Sequence, residues 1–328
     1  MPKYSVIIPV YNRPQEIDEL LHSLTLVNYS DFEVIVIEDG SNLSAEHICI
    51  QYKDQFDLKY QFQENTGPGP ARNKGAELAT GEYFLFFDSD CLIPPEYFNY
   101  VDNKLNNTDC FGGPDMAHET FNTIQKAISY SMTSTLTTGG IRGGKKKLDK
   151  FYPRSFNMGI KKEVFRSLKG FEKLRFGEDL DFSMRILEAG YSTKLIEEAA
   201  VFHKRRNNFR SFFKQVYNSG IARINLNYRH PGSLKLVHAL PAIFTFGYAA
   251  YLLACIFLPI LLPLALLPWL VFFTDATIQT RSLKVGIASS MAAMVQIIAY
   301  GSGFLTATLK RKIFKRKEFT AYEKNFYN

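Results

Sequence analysis

The 328-residue chain is poor in cysteine and tryptophan, with four of the first and one of the second. Cys49, Cys91, Cys110 and Cys255 are scattered and no C-x-x-C pair occurs, which argues against a disulfide framework or structural zinc site and favours a reducing compartment. No long apolar run opens the chain. Val6 to Val10 is too short for a cleavable leader and is broken by Pro9, so none is expected. Charge is missing from two long stretches near the other end, residues 236–273 and 285–309. Elsewhere the composition is that of a folded protein, 46% hydrophobic and 22% charged, so disorder is not its main character. The net charge of +7 suits partners that carry phosphate.

The first half alternates. "YSVIIPV" (4–10) and "FEVIVIED" (32–39) read as strands, and Ile17, Leu20, Leu21 and Leu24 between them recur at helical spacing after Pro14. A short helix is expected near 44–53, a strand at 58–62, a helix through 71–79 and a strand ending at Phe87. Strands apolar on both faces, alternating with helices, imply an α/β fold with a mainly parallel sheet covered on both sides. Ligands of such sheets sit beyond the carboxyl ends of the strands. Asn12-Arg13, Asp39-Gly40-Ser41 and Asp88-Ser89-Asp90 each fall at one of those ends.

Each uncharged stretch exceeds the ~20 residues that cross a bilayer as a helix. Pro259, Pro263 and Pro268 break the first, so one span plus a re-entrant or second short span is expected, two or three in all. Lys204, Arg205, Arg206, Arg210, Arg229 and Lys235 precede the block and "KRKIFKRK" (310–317) follows it. Both flanks are therefore expected on the cytoplasmic side, with an even number of crossings, although Arg281 and Lys284 lie between the spans. The basic tail, 310–328, would also suit anionic lipid headgroups.

Taken singly, the polar motifs have bland readings. A D-x-D after a strand is commonly a solvated turn, but two carboxylates one residue apart also suit one hard cation beside phosphate oxygens. Asp39 would serve equally as a turn cap. "NTGPGPARNKG" (65–75) sets Gly67 and Gly69 in a loop ahead of a helix carrying Arg72, Asn73 and Lys74, an arrangement that suits an anion. Glu178 and Asp179 in "RFGEDLDFSMRILEAGY" fall in the first turn of a helix whose Leu180, Met184 and Leu187 share a face. The helix dipole alone explains acids there, and a general base needs the same fixed carboxylate. His203, in "VFHKRR", is on its own more often structural than functional.

In order, "SVIIPVYNRP", "VIVIEDGS", "NTGPGPARNKG", "YFLFFDSD", "SFNMGIKKEVF" and "GFEKLRFGEDLDFSMRILEAGY" resemble the family 2 glycosyltransferases, inverting enzymes of the GT-A fold. The resemblance runs from about residue 4 to 225. It implies a catalytic domain over 1–230, a membrane region over 236–309 and a basic cytoplasmic tail. It implies that Asp39 hydrogen-bonds the nucleotide base, with Pro9 and Tyr11 shaping the pocket, and that Arg72 lies near the base or diphosphate. Asp88 would lie near the ribose or metal, and Asp90 would bind Mg2+ or Mn2+ on the donor diphosphate, with His203 as a further ligand. Asp179 would be the general base, supported by Glu178.

The implied reaction moves one sugar, from a UDP-linked donor, to a lipid-linked or membrane-proximal glycan at the inner membrane, with the catalytic domain in the cytoplasm. Processive family members carry Q-x-x-R-W after the catalytic acid; "KQVYNSGIARI" (214–224) has Gln215 but no tryptophan, which disfavours processive synthesis. The Gly/Lys-rich stretch 137–154 reads as a loop over the acceptor or a solvated insertion. Two alternatives remain. A sugar-nucleotide nucleotidyltransferase would need a glycine-rich phosphate loop where "PVYNRP" stands, and a membrane-anchored scaffold that has lost catalysis would not need Asp179. Nucleic acid is not an expected partner, because the positive charge flanks the apolar runs.

Overall fold

The computed structural model describes residues 1–118, 120–138 and 151–316. The greater part of the Gly/Lys-rich stretch, and the tail from residue 317, lie outside the described residues. The chain forms two units, one from residues 1–116 and 151–203, the other from 117–138 and 204–316.

The first unit is built on a seven-stranded sheet. Strands β1 (Tyr4–Val10), β2 (Phe32–Asp39), β3 (Leu58–Gln63) and β4 (Tyr83–Phe87) pair in parallel in the order β3-β2-β1-β4. The helices between them are α1 (Pro14–Thr25), α2 (Glu46–Gln51) and α3 (Pro68–Leu78). Next come β5 (Cys91–Leu92), α4 (Tyr97–Lys104), β6 (Cys110–Gly112) and β7 (Asp115–Met116). After α5 (Thr123–Thr133) and α6 (Thr135–Thr138), which belong to the second unit, the chain returns as β8 (Asn157–Lys161), α7 (Lys162–Ser167), α8 (Glu178–Glu188), β9 (Thr193–Leu195) and β10 (Val201–His203). Strand β8 lies antiparallel between β4 and β6, so the sheet is mixed beyond β4. Strands β5, β10 and β7 form a separate small sheet.

Every residue of β2 is buried, as a strand covered on both faces requires. One face packs on α1, α2 and α4 through Ile17, Leu20, Leu21, Cys49, Phe98 and Val101. The other packs on α3, α7 and α8 through Ala71, Ala76, Phe165, Phe182 and Ile186. Each large apolar side chain so buried contributes about 1.5–3 kcal/mol. Helix α3 comes close enough to β1 that a Cβ at Gly75 would collide with Ile7, and this brings Arg72 to the strand ends. The expected Gly67–Gly69 loop is shorter than the spacing implied. Pro68 starts the helix, its missing N–H being no loss at that position, and Gly69 already lies within it. In α8, Phe182 and Ile186 join the core and Met184 is buried, while Leu180 and Leu187 are only half-buried. The acidic first turn of this helix is buried as well.

In the second unit α9 (Phe209–Arg229), α10 (Leu236–Phe257), a 3-10 segment (Pro259–Leu266), α11 (Leu267–Thr280) and α12 (Leu283–Thr308) follow one another. Among the described residues, three helical stretches, Leu236–Phe257, Pro259–Thr280 and Leu283–Ile313, are long and apolar enough to cross a membrane by length and composition. Their packing is more specific than their number. Ala239 and Ala242 of α10 pack with Phe304 and Ala307, whereas Phe244 and Tyr248 pack with Ala293, Met294 and Ile297, so α10 and α12 run antiparallel. After Leu258 the chain doubles back along α10. The Tyr251 hydroxyl donates to the Leu261 carbonyl at 2.6 Å and the Tyr248 hydroxyl to the Ala265 carbonyl at 2.9 Å. Helix α11 thus begins level with the middle of α10, beside Trp269, and runs out along α12 to Thr277 against Gly286. The start of α10 and the end of α12 share one end of the bundle, where the Arg311 guanidinium lies 4.3 Å from the Tyr228 ring. Helix α9 reaches α12 through backbone contact, since a Cβ at Gly303 would collide with the Tyr217 carbonyl and one at Gly220 with that of Tyr300.

Candidate active site

The carboxyl ends of β1, β2 and β4 are tied together by side chains. Asn12 adopts a left-handed conformation (φ 51°) just after β1, where an asparagine is tolerated. Its Oδ1 accepts from the backbone N–H groups of Asn42 at 2.7 Å and Leu43 at 3.1 Å, and its own N–H donates to Ser41 Oγ at 2.8 Å. Arg13 is thereby aimed across the strand ends and pairs with Asp90.

Asp39 is 2% exposed. Its Oδ1 accepts from Gln63 Nε2 at 2.7 Å and from the Thr66 N–H at 2.8 Å, and its Oδ2 from the Gly67 N–H at 2.8 Å. The carboxylate therefore fastens the loop in front of α3. Pro9, paired with Ile37, and Tyr11, just past β1, are both half-buried at the same strand ends. The Arg72 side chain is 3% exposed and bridges two carboxylates, Nη2 lying 2.6 Å from Asp88 Oδ1 and Nη1 3.1 Å from Glu178 Oε1. Its guanidinium also lies 5.4 Å from the Phe171 ring.

His203 is brought in by β10, whose antiparallel register sets it opposite Cys91 and so beside Asp90. His203 Nε2 lies 3.1 Å from Asp90 Oδ1, and the imidazole stacks on Phe156 with ring centroids 4.9 Å apart. Burial opposes ionisation of Asp90, yet the His203 imidazole and the Arg13 guanidinium outweigh it and hold the carboxyl well below its ordinary range.

Glu178 and Asp179 open α8 behind Gly177, and both are buried. Asp179 Oδ2 lies 2.5 Å from Arg154 Nε, and its Oδ1 accepts from the Leu180 N–H at 2.8 Å. The two acids are driven apart. Burial, then the neighbouring Asp179 charge, push Glu178 up to about 7 against the pull of Arg72. Asp179 is lowered, because Arg154 and the Leu180 N–H overcome its burial. Near neutral pH the pair thus holds one firmly ionised carboxylate and one acid close to its midpoint.

Among the described residues, the donor atoms that cluster closely enough for a cation, within 4.8 Å of one another, belong to Asp90, Cys91 and His203. A carboxylate oxygen beside an imidazole nitrogen fits a divalent ion of the Mn2+ kind. The Cys91 thiol is fully buried against the Phe156 carbonyl, and burial followed by the Asp90 and Asp88 charges raises it well above its ordinary value. Asp88 is not in this group; its Oδ1 is engaged by Arg72.

The profile of Glycosyl transferase family 2 matches residues 5–169, which carry β1 to β4 and the Asp88-Ser89-Asp90 turn. The chain belongs to that family. Among relatives of this chain, an uncharacterized glycosyltransferase of Haemophilus influenzae is 30% identical over 218 residues, covering 62% of this chain and 70% of its own length. A Rickettsia conorii glycosyltransferase is 35% identical over 128 residues, 37% of this chain but only 21% of that one, so the present chain spans about a fifth of it. The poly(ribitol-phosphate) beta-N-acetylglucosaminyltransferase TarS of Staphylococcus aureus is 41% identical over 100 residues, 29% of this chain and 18% of its own. The mannosyltransferase PcManGT of Pyrobaculum calidifontis, solved with GDP-Man and Mn2+, superposes with a TM-score of 0.60 at 17% identity over 93% of this chain and 87% of that one. At that identity the likeness establishes the GT-A fold alone.

All nine residues singled out from the sequence lie in the first unit. The structure links Asp90 to His203 and Arg72 to both Asp88 and Glu178 by direct contact. Three participants were not assigned roles from the sequence. Arg13 was visible as a polar residue at a strand end, whereas Cys91 and Arg154 gave no local signal.

Proposed function

We propose that the glycosyltransferase transfers a single hexosyl unit from a nucleotide-diphosphate sugar, UDP-linked, to a hydroxyl of a lipid-linked or membrane-proximal glycan, with inversion at the anomeric carbon. The observation that supports this most is a set of buried carboxylates in one unit, with Asp90 paired to an imidazole and a guanidinium, and Asp179 held ionised by Arg154 beside Glu178, whose carboxyl is raised.

A hydroxyl is a weak nucleophile near pH 7, and Asp179 takes its proton as the oxygen attacks the anomeric carbon. The new carbon–oxygen bond forms as the bond to the β-phosphate breaks, and the nucleoside diphosphate leaves with the electron pair. Attack from the opposite face inverts the centre in one step, so no serine or cysteine nucleophile is required. Asp90 and His203 would hold the divalent ion, which supplies positive charge to the departing diphosphate. Arg72 sets Asp88 and Glu178 in fixed positions and keeps positive charge at the strand ends. Pro9, Tyr11 and Asp39 border the place for the nucleotide base, with Asp39 holding the α3 loop in shape.

The apolar helices support attachment to the inner membrane. Arg229, Lys235, Lys310, Arg311 and Lys312 flank the bundle end shared by α10 and α12, which favours placing that end in the cytoplasm among anionic headgroups.

The test is release of nucleoside diphosphate from UDP-glucose, UDP-N-acetylglucosamine, UDP-galactose and GDP-mannose by the detergent-purified chain, with and without Mn2+. Metal-dependent turnover of one donor is expected. Absence of both binding and turnover for every donor would sink the catalytic reading in favour of a scaffold.

A further inference from the structure

We infer that Arg154 is a positioning residue for the reaction, holding the Asp179 carboxylate in the orientation and charge state that a base needs. The inference rests on the assignment of Asp179 as base, and adds a role to a residue that no sequence motif marks.

The geometry is built from both sides of the contact. Arg154 Nε lies 2.5 Å from Asp179 Oδ2, while the Leu180 N–H takes Oδ1 at 2.8 Å. One lone pair on each oxygen is so engaged, which fixes the carboxylate plane and leaves the remaining lone pairs for an incoming hydroxyl. Arg154 itself cannot drift. The Ser183 hydroxyl donates to the Pro153 carbonyl, and Ser183 stands one helical turn beyond Asp179 on α8. The Asn157 N–H donates to the Arg154 carbonyl at 2.9 Å. Asn157 is pinned in turn, its Oδ1 accepting from the Tyr97 hydroxyl at 2.6 Å and its Nδ2 donating to the Ala199 carbonyl at 2.8 Å. The turn bearing the arginine is thus bonded to the helix bearing the base.

Charge gives the second reason. Asp179 is faced by Glu178 on its own helix, by Arg154 from the turn before β8 and by Arg72 from α3. Arg72 is shared with Asp88 and Glu178. Without Arg154, two adjacent buried acids would compete for that one guanidinium, and a proton would settle on the pair over a wider pH range. A protonated Asp179 cannot act as base.

The experiment compares wild type, Arg154→Lys, Arg154→Gln and Asp179→Asn as full chains in detergent. The first readout is the pH profile of kcat/KM for hydrolysis of whichever donor of the panel turns over. Arg154→Gln should move the acid limb up by at least about one pH unit, with KM for the donor within about twofold, and Arg154→Lys should restore most of that displacement. A purely structural arginine would lower the amplitude and leave the limb in place, and that outcome overturns the inference. If Asp179→Asn keeps the wild-type rate and limb, the base assignment itself fails, which is a separate result.

The second readout needs no substrate. Burial raises Asp179 and Arg154 is the main charge that opposes it, so Arg154→Gln leaves the carboxyl raised in the folded state, which costs stability as pH rises above the ordinary carboxylate value and costs little at pH 4. The Tm deficit of Arg154→Gln relative to wild type should therefore be larger at pH 7.5 than at pH 4. An equal deficit at both would overturn the inference even if no donor is turned over.

Discussion

Replacing Glu178 by glutamine is expected to make the protein more stable above neutral pH. In the folded chain burial and the Asp179 charge raise Glu178 from 4.5 to about 7. The native state therefore binds more protons than the unfolded one between those values, and stability falls as pH rises through that window. At about 1.4 kcal/mol per unit, the ionised side chain costs on the order of 3 kcal/mol above pH 8 and about 1 kcal/mol at pH 5. The side chain is only 12% exposed, so solvent removes little of this cost. Glutamine presents a neutral amide whose carbonyl can still accept from Arg72 Nη1, now 3.1 Å from Glu178 Oε1. For a unit of this size 1 kcal/mol moves Tm by about 2–4 °C. Thermal unfolding of the full chain, followed by far-UV circular dichroism in detergent, should show Glu178→Gln melting roughly 6–12 °C above wild type at pH 8.5 and at most about 4 °C above it at pH 5. The same shift at both pH values, or a lowered Tm at pH 8.5, would refute the reasoning that an ionised acid is held there against its burial.

Two further outcomes follow from the geometry. Asp90→Asn and His203→Ala should each weaken Mn2+ binding by at least about tenfold, read from the free-ion electron paramagnetic resonance signal, whereas Asp88→Asn should change it less because Asp88 is engaged by Arg72. In intact cells, single cysteines at Lys235 and Arg316 should share one labelling pattern with a membrane-impermeant maleimide and one at Ser282 should show the opposite; if Lys235→Cys and Arg316→Cys differ, the doubling back of the 3-10 segment is misread.

The central strands were legible because the pattern that makes them also buries them. Residues 4–10 and 32–39 are built around the apolar runs Val6–Val10 and Val34–Ile37, and the structure places β1 and β2 on the bounds 4–10 and 32–39. The polar groups at their ends could be anticipated for the same reason, since a parallel sheet gathers its carboxyl ends on one edge. Beyond β4 the signal weakens. Strand β8 reverses direction and β6 and β9 have only three residues each, too few for a period to declare itself.

The membrane-type helices show a similar limit. Composition announced long apolar stretches, but whether a stretch crosses or doubles back depends on contacts such as Tyr248 to Ala265 that no hydropathy window sees. The ion pairs were the least accessible of all. Arg154 meets Asp179 across 25 residues and Arg13 meets Asp90 across 77, and neither separation leaves a trace in local spacing. What sequence could supply was the sign of the problem: acids at the ends of buried strands and at the start of a buried helix turn must be neutralised by something. The structure answers with arginines drawn from elsewhere in the chain for Asp88, Asp90, Glu178 and Asp179. Under the proposed function, a donor diphosphate and its cation would meet these ion pairs on entering the site. The acids that looked costly in the sequence are therefore neutralised by residues whose positions only the fold determines.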